Sequence, residues 1–326
     1  MINDEVVEEV LQGNLEASRW AIPRLVKIFI SSARDEFVEE RRTLLESVGP
    51  ELQSIYDSTG LEVELVDMHF GTSSDPLCDS FLYDDQLYEI NQCHNVSRGC
   101  FFLCLVGKEK QNCPLPLSFT EDEFRDLTEA AKIQNLETEP LELCYKLTET
   151  CYILVKDSAE KNSKLFDQAF NILQSAAKDL SNTETPTRFS QFTRSAVEHQ
   201  IHTAIDLSPN HVLGILREYS DDPEVSGNCS NHDLKSFIAS SLPEENILKF
   251  NVPWKRGGID SDWSEHETYL NNFQADVLQT LQTLINKNIE EKPEVNARNK
   301  TIQEVFKEAL VHLALCQQYT STKIPT

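Results

Sequence analysis

The stretch Ser118-Phe119-Thr120-Glu121-Asp122-Glu123-Phe124 places a hydroxyl three residues ahead of a carboxylate. That spacing fits a capping box. In such a box the Thr hydroxyl accepts from the backbone N–H of the third helical residue, and the Glu reaches back to the N–H of the cap. The same residues could hold a carboxylate at the rim of a nucleotide pocket. The box is an adequate local reason for both Thr120 and Glu123, so the cap is the preferred reading, with Glu123 kept as the candidate catalytic residue.

Other chemistries lack their residues. The Gly-Lys pair, Gly107-Lys108, has no upstream glycine and is followed by Glu109, so a phosphate-cradling P-loop is excluded. No G-x-G-x-x-G follows a strand, and no Gly-x-Ser-x-Gly elbow anchors a hydrolase triad. Cys229-x-x-His232 and His199-x-x-His202 match no standard zinc spacing and read as scattered surface histidines, so no metal is expected. The nine cysteines are an odd number with no CxxC pair. Several lie in apolar runs (Cys100, Cys104, Cys151) and read as buried free thiols of a reducing compartment.

These residues need a scaffold. LVKIFI (25–30) and LEVELVD (61–67) read as strands, and CFFLCLVG (100–107) as a central strand buried on both faces. CYILV (151–155) reads as a fourth strand and NILKFNV (246–252) as a fifth. HVLGILREY (211–219) is ambiguous between strand and helix. Between the first two strands Phe37, Leu44, Val48, Leu52 and Ile55 recur at helical spacing, with Ser32-x-x-Asp35 as a loose cap. Another helix runs from about Asp84 to Val96. Glu89 on it reads as a solvated residue rather than a second acid. Leu165, Phe166, Phe170, Leu173 and Ala177 mark one face of a further helix. SAVEHQIHTAI, LKSFIASSL and YLNNFQADVLQTLQTLI continue the helical pattern.

Strands alternating with helices predict an α/β open parallel sheet, of the flavodoxin-like kind. Its domain is expected at 21–290, with a helical insertion at about 157–245. A helical segment is expected at 1–20 and a helical connector at 291–326. In such sheets ligands bind beyond the carboxyl ends of the strands, where strand order reverses. That criterion gathers Ser31, Ser32 and Arg34 after strand one, Asp67 and His69 after strand two, Gly107 after strand three, and then Thr120. Ser31 and Ser32 read as turn and cap residues. Asp35 and Glu36 fall in the first turn of the following helix, where they satisfy its dipole and oppose a bound phosphate.

The 54 acidic residues against 29 basic ones give a formal charge of −25, which disfavours nucleic acid and anionic membrane surfaces as partners. MINDEVVEEVLQG has neither the basic nor the apolar region of a signal peptide, and no apolar run approaches the ~20 residues of a membrane span. A cytoplasmic location is expected.

Taken in order, KIFISSARDEFVEERRTLLESVGPEL, VELVDMHFG, YEINQCHNVSRGCFFLCLVGKEK, PLPLSFTEDEF, SAVEHQIHTAI, VPWKRGGID and EHETYLNNFQADVLQTL resemble the TIR-like domain that opens large NACHT and WD-repeat proteins. Relatives of that domain occur in nephrocystin-type proteins and the telomerase-associated vault protein. The resemblance covers about Val26 to Leu284. It implies a TIR-like sheet in a signalling or scaffolding STAND NTPase, with protein partners or self-association as its business and VHLALCQQY leading toward a NACHT module. It also implies an alternative. Enzymatic TIR domains and nucleoside deoxyribosyltransferases carry a catalytic Glu at the start of the matching helix, which maps to Glu123. There it would stabilise a ribosyl oxocarbenium ion, with NAD or a nucleoside as substrate and no cofactor. The family's aromatic-Gly after strand three is replaced here by Lys108 to Gln111, which alters that rim of the pocket.

Overall fold

The computed structural model describes residues 24–291 apart from 60, 73–76, 78, 98, 109–114, 156–162, 182–188, 190 and 221–230. The segments expected at 1–20 and 291–326 lie outside the described residues, Glu291 excepted. Five parallel strands form the main sheet: β1 (Arg24–Ser32), β2 (Leu61–Asp67), β3 (Phe102–Val106), β7 (Val212–Ser220) and β8 (Ile247–Pro253), in the order β2-β1-β3-β7-β8. The expected α/β open parallel sheet is therefore present. Every residue of β3 is buried, as a middle strand covered on both faces requires.

Two helical layers cover the sheet. On one face pack α1 (Val38–Thr43), the π-helical turn Leu44–Val48, α2 (Gly49–Tyr56) and the long α9 (Ser264–Glu291). Their core is built from Phe37, Leu44, Val48, Leu52 and Tyr56 against Phe273, Val277, Leu281 and Ile285. Ile55, expected on the apolar face, is 42% exposed. The π turn adds a residue to the helical register, and Tyr56 takes the inward place. The other face carries α3 (Tyr83–Val96), α7 (Ala196–Leu207) and α8 (His232–Ser241), packed through Ile90, Cys93, Ile201, Ala204 and Ile238.

A second unit is inserted between β3 and α7. It contains a three-stranded antiparallel sheet of β4 (Ser118–Thr120), β6 (Cys151–Leu154) and β5 (Tyr145–Leu147), in the order β4-β6-β5. With it go α4 (Glu121–Ile133), α5 (Glu139–Cys144) and α6 (Ser163–Ser181). These elements share their own core, in which Phe119, Phe124, Leu127, Leu141, Leu173 and Ala177 meet.

CYILV is thus a strand, but of this small antiparallel sheet; the fourth parallel strand is the ambiguous HVLGILREY. A short apolar run does not encode which sheet it joins. Packing accounts for Gly214 within β7: a Cβ there would lie 3.0 Å from Ile238 and 3.1 Å from Leu242. The glycine lets α8 lie close on the strand. The interval 157–245 expected as an insertion accordingly contains α7, β7 and α8, which belong to the main sheet and its cover.

Candidate functional site

Strand order reverses between β1 and β3, because β1 continues to β2 on one side and β3 to β7 on the other. Two polar clusters form at this carboxyl end, and a third lies in the inserted unit.

The first cluster ties β1 to β2 and its loop. β1 runs through Ser31 and Ser32, each 1% exposed, so neither is a turn or cap residue. Helix α1 instead follows Phe37 with no side-chain cap, which also removes Ser32-x-x-Asp35 as its start signal. The Ser31 hydroxyl donates to Gln200 Oε1 at 2.6 Å, and Gln200 Nε2 donates to Gln86 Oε1 at 2.7 Å. Arg41 Nη1 donates to the Ser32 hydroxyl at 3.1 Å and to the Ala33 carbonyl at 2.9 Å, while its Nε lies 3.3 Å from Asp67 Oδ2. Asp67 Oδ1 accepts from the His69 N–H at 3.0 Å, and His69 Nε2 donates to the Ser32 carbonyl at 3.1 Å. Arg34 Nη2 donates to the Thr72 carbonyl at 3.0 Å. The structure therefore brings Ser31, Ser32, Asp67 and His69 together, with Arg34 holding the same loop. Their donors and acceptors engage one another, which fixes the backbone of both strand ends.

The second cluster sits at the reversal point itself. A small cleft lined by Ala33, Glu36, Gly107, Ser195 and Asn231 has a volume of about 10 Å³. That is roughly the space of one water, far short of a nucleotide. The Glu36 carboxylate fills the position beside it. Glu36 Oε1 accepts from the Lys108 backbone N–H at 2.7 Å and lies 3.2 Å from Arg217 Nη2. A Cβ at residue 107 would overlap this carboxylate as it is placed, so the glycine matters there for close approach rather than for backbone angle. Arg217 also pairs with Glu40 Oε1 and donates to the Glu36 carbonyl at 3.0 Å. Tyr269 of α9 donates to the same Glu40 oxygen at 2.9 Å. The Phe37 and Tyr219 rings flank the guanidinium at 4.3 and 4.8 Å.

Burial here opposes the charge of Arg217, but Glu40, the tyrosines and Glu36 outweigh it and hold its pKa above the ordinary value. Burial, reinforced by Glu40, pushes the Tyr269 phenol well up, so it stays protonated and donates. Asp35 and Glu36, expected in the first turn of α1, both lie in the turn ahead of Phe37, its N-cap; Glu40, Arg217 and Tyr269 escaped the sequence reading. A signal existed: Glu40 stands on the same helical face as Phe37 and Leu44, and Arg217 interrupts the apolar run of β7.

The third cluster is the capping box. Thr120 Oγ1 accepts from the Glu123 N–H at 3.2 Å, and Glu123 Oε2 accepts from the Thr120 N–H at 2.9 Å. Thr120 is exposed and Glu123 half-buried, both belong to the inserted unit, and neither lines the reversal-point cleft. Glu89 is an ion-pair residue rather than a solvated one, with Oε1 2.6 Å from Lys27 Nζ.

Among the described residues no group of three or more His, Cys, Asp or Glu is arranged to hold a metal ion, and no helix is long and apolar enough to cross a membrane. His202 of α7 stacks on Phe237 at 4.0 Å.

No family model and no solved structure matches the chain. Over 123 residues, 37% of the chain, it is 30% identical to NACHT and WD repeat domain-containing protein 2 of Homo sapiens, and equally to that of Mus musculus. Over 88 residues, 27% of the chain, it is 32% identical to NACHT domain- and WD repeat-containing protein 1 of Mus musculus. These similarities link the chain to the NACHT and WD repeat proteins. The matched stretches span only 7% and 6% of those relatives' lengths.

Proposed function

We propose that this chain is a TIR-like interaction module of a NACHT–WD-repeat-type STAND NTPase, working in the cytoplasm. Its surface docks other copies or adaptor proteins when a downstream NACHT module oligomerises. The observation that carries this reading is the partial identity with NACHT and WD repeat proteins, on a chain whose main sheet has the order β2-β1-β3-β7-β8. A scaffolding role asks for a rigid carboxyl edge more than for an open pocket. The bonds among Ser32, Arg41, Asp67 and His69 supply that rigidity.

Cleavage of NAD or a nucleoside by Glu123 draws no support from the site. Its carboxylate closes the capping box, and neither it nor Thr120 borders the cleft at the strand reversal.

The test has two arms. Purified chain is incubated with NAD, NADP and nucleosides, and products are separated. In parallel, the chain fused to an oligomerising coiled coil is used to capture untethered copies and adaptors. Capture that depends on oligomerisation, without base release, is the expected result. Base release that Glu123→Gln abolishes in a folded protein would replace this reading with the enzymatic one.

A further inference from the structure

We propose that the reversal point of this sheet is a carboxylate-binding site whose ligand is the chain's own Glu36. Three features define it. The Lys108 backbone N–H points at Glu36 Oε1 from 2.7 Å. Arg217, fully buried, lies at 3.2 Å from the same oxygen. Gly107 contributes no side chain where the carboxylate rests, and a Cβ there would collide with it. A cation, a backbone donor and a bare glycine surface are what a protein needs to hold a small anion in a pocket. Only 5% of the Glu36 side chain is exposed, so this is an enclosed seat rather than a surface contact.

The location argues that the seat is more than a fold-stabilising ion pair. Ligands of open parallel sheets sit beyond the carboxyl ends of the strands, where strand order reverses. Ser195 and Asn231, the residues that precede α7 and α8, line the same cleft, so two further helix starts face this spot. The remaining cleft of about 10 Å³ holds no nucleotide or phosphate while Glu36 is in place. An incoming anion would also meet the charge of Glu36 and of Glu40, both of which Arg217 already pairs with. Glu36 thereby makes the site self-occupied and closed to external anions. This inference rests on bonding within the main sheet and is independent of the interaction reading above.

The seat is tested by emptying it. Glu36→Ala removes the carboxylate and its γ-methylene, leaving room for formate or acetate beside Arg217. Thermal melts of wild type, Glu36→Ala and Glu36→Gln are run in sodium formate and in sodium chloride of equal ionic strength. Formate should raise the melting temperature of Glu36→Ala by about 3 °C or more over chloride, saturably, because it binds the folded state alone. Wild type, with its own carboxylate in place, and Glu36→Gln, whose amide fills the space, should show no such difference. Absence of a formate-specific gain in Glu36→Ala, or an equal gain in wild type, overturns the proposal. Should Glu36→Ala fail to fold in either salt, Glu36→Asp decides. Its shorter arm withdraws the carboxylate from Lys108, and hydrogen exchange at that amide should accelerate by about tenfold or more. Unchanged exchange there also overturns the proposal.

Discussion

Arg217→Met isolates the buried charge cluster. The side chain of Arg217 is 0% exposed, as is that of Glu40, and that of Glu36 is 5% exposed. Removing the guanidinium leaves two carboxylates in the interior of the main sheet. Glu40 would retain the Tyr269 hydroxyl at 2.9 Å, and Glu36 the Lys108 N–H at 2.7 Å. Breaking a buried pair from one side costs about 3–5 kcal/mol, because the partner keeps its desolvation cost without its counter-ion. The contacts to the Phe37 and Tyr219 rings are lost as well. Glu40→Met alone should fall in the same range, since it takes away the nearer of the two anions of Arg217. The informative variant is the double one. Met at both positions removes both halves of the pair and supplies apolar volume, so its cost should be smaller than the sum of the singles by about 2 kcal/mol or more. Urea unfolding followed by circular dichroism gives the three values from midpoints at constant slope. Additivity within about 0.5 kcal/mol would refute the reasoning, because it would mean that the two side chains do not share a low-dielectric pair.

Thr120→Ala should cost about 0.5–2 kcal/mol as a lost N-cap, while Glu123→Gln should be mild, because Gln also completes a capping box; equal losses measured by urea unfolding would contradict the box. Gly107→Ala drives a methyl into the Glu36 carboxylate and should destabilise by about 1–3 kcal/mol in the same assay. Burial pushes the Cys93, Cys100 and Cys104 thiols up to about 12 and that of Cys144 up to about 11. A maleimide applied near neutral pH should therefore leave these four unlabelled in the native protein, and mass spectrometry of the digest reads this directly. The same shifts carry a pH dependence. A thiol whose folded pKa is raised contributes stability that is complete below its unfolded value and is lost as pH climbs from there to the folded value. Stability should thus decline from about pH 9 toward pH 12, by on the order of 1 kcal/mol for each of Cys100 and Cys104 by pH 10. A flat profile from pH 8 to 10 would contradict their enclosure.

The sequence by itself determined what depends on neighbours in the chain. Thr120 and Glu123 close their box within one helical turn, so the motif could be read without knowing what surrounds it. LEVELVD, CFFLCLVG and NILKFNV were legible as strands because apolar, β-branched runs bounded by turns need no partner to announce themselves. Tertiary structure decided what depends on distant partners. CYILV and HVLGILREY are both apolar enough to be strands, and only the separate core of the inserted unit assigns the first to it and the second to the main sheet. The reason for Gly214 in β7 likewise lies in a distant element, α8, which packs close on it. Glu36, Glu40, Arg217 and Tyr269 are separated by up to 233 positions, Glu36 to Tyr269, and a charge becomes worth burying only once its counter-charge arrives from another element. Their meeting point coincides with the reversal of strand order, a property of the assembled sheet that no single segment of the chain contains.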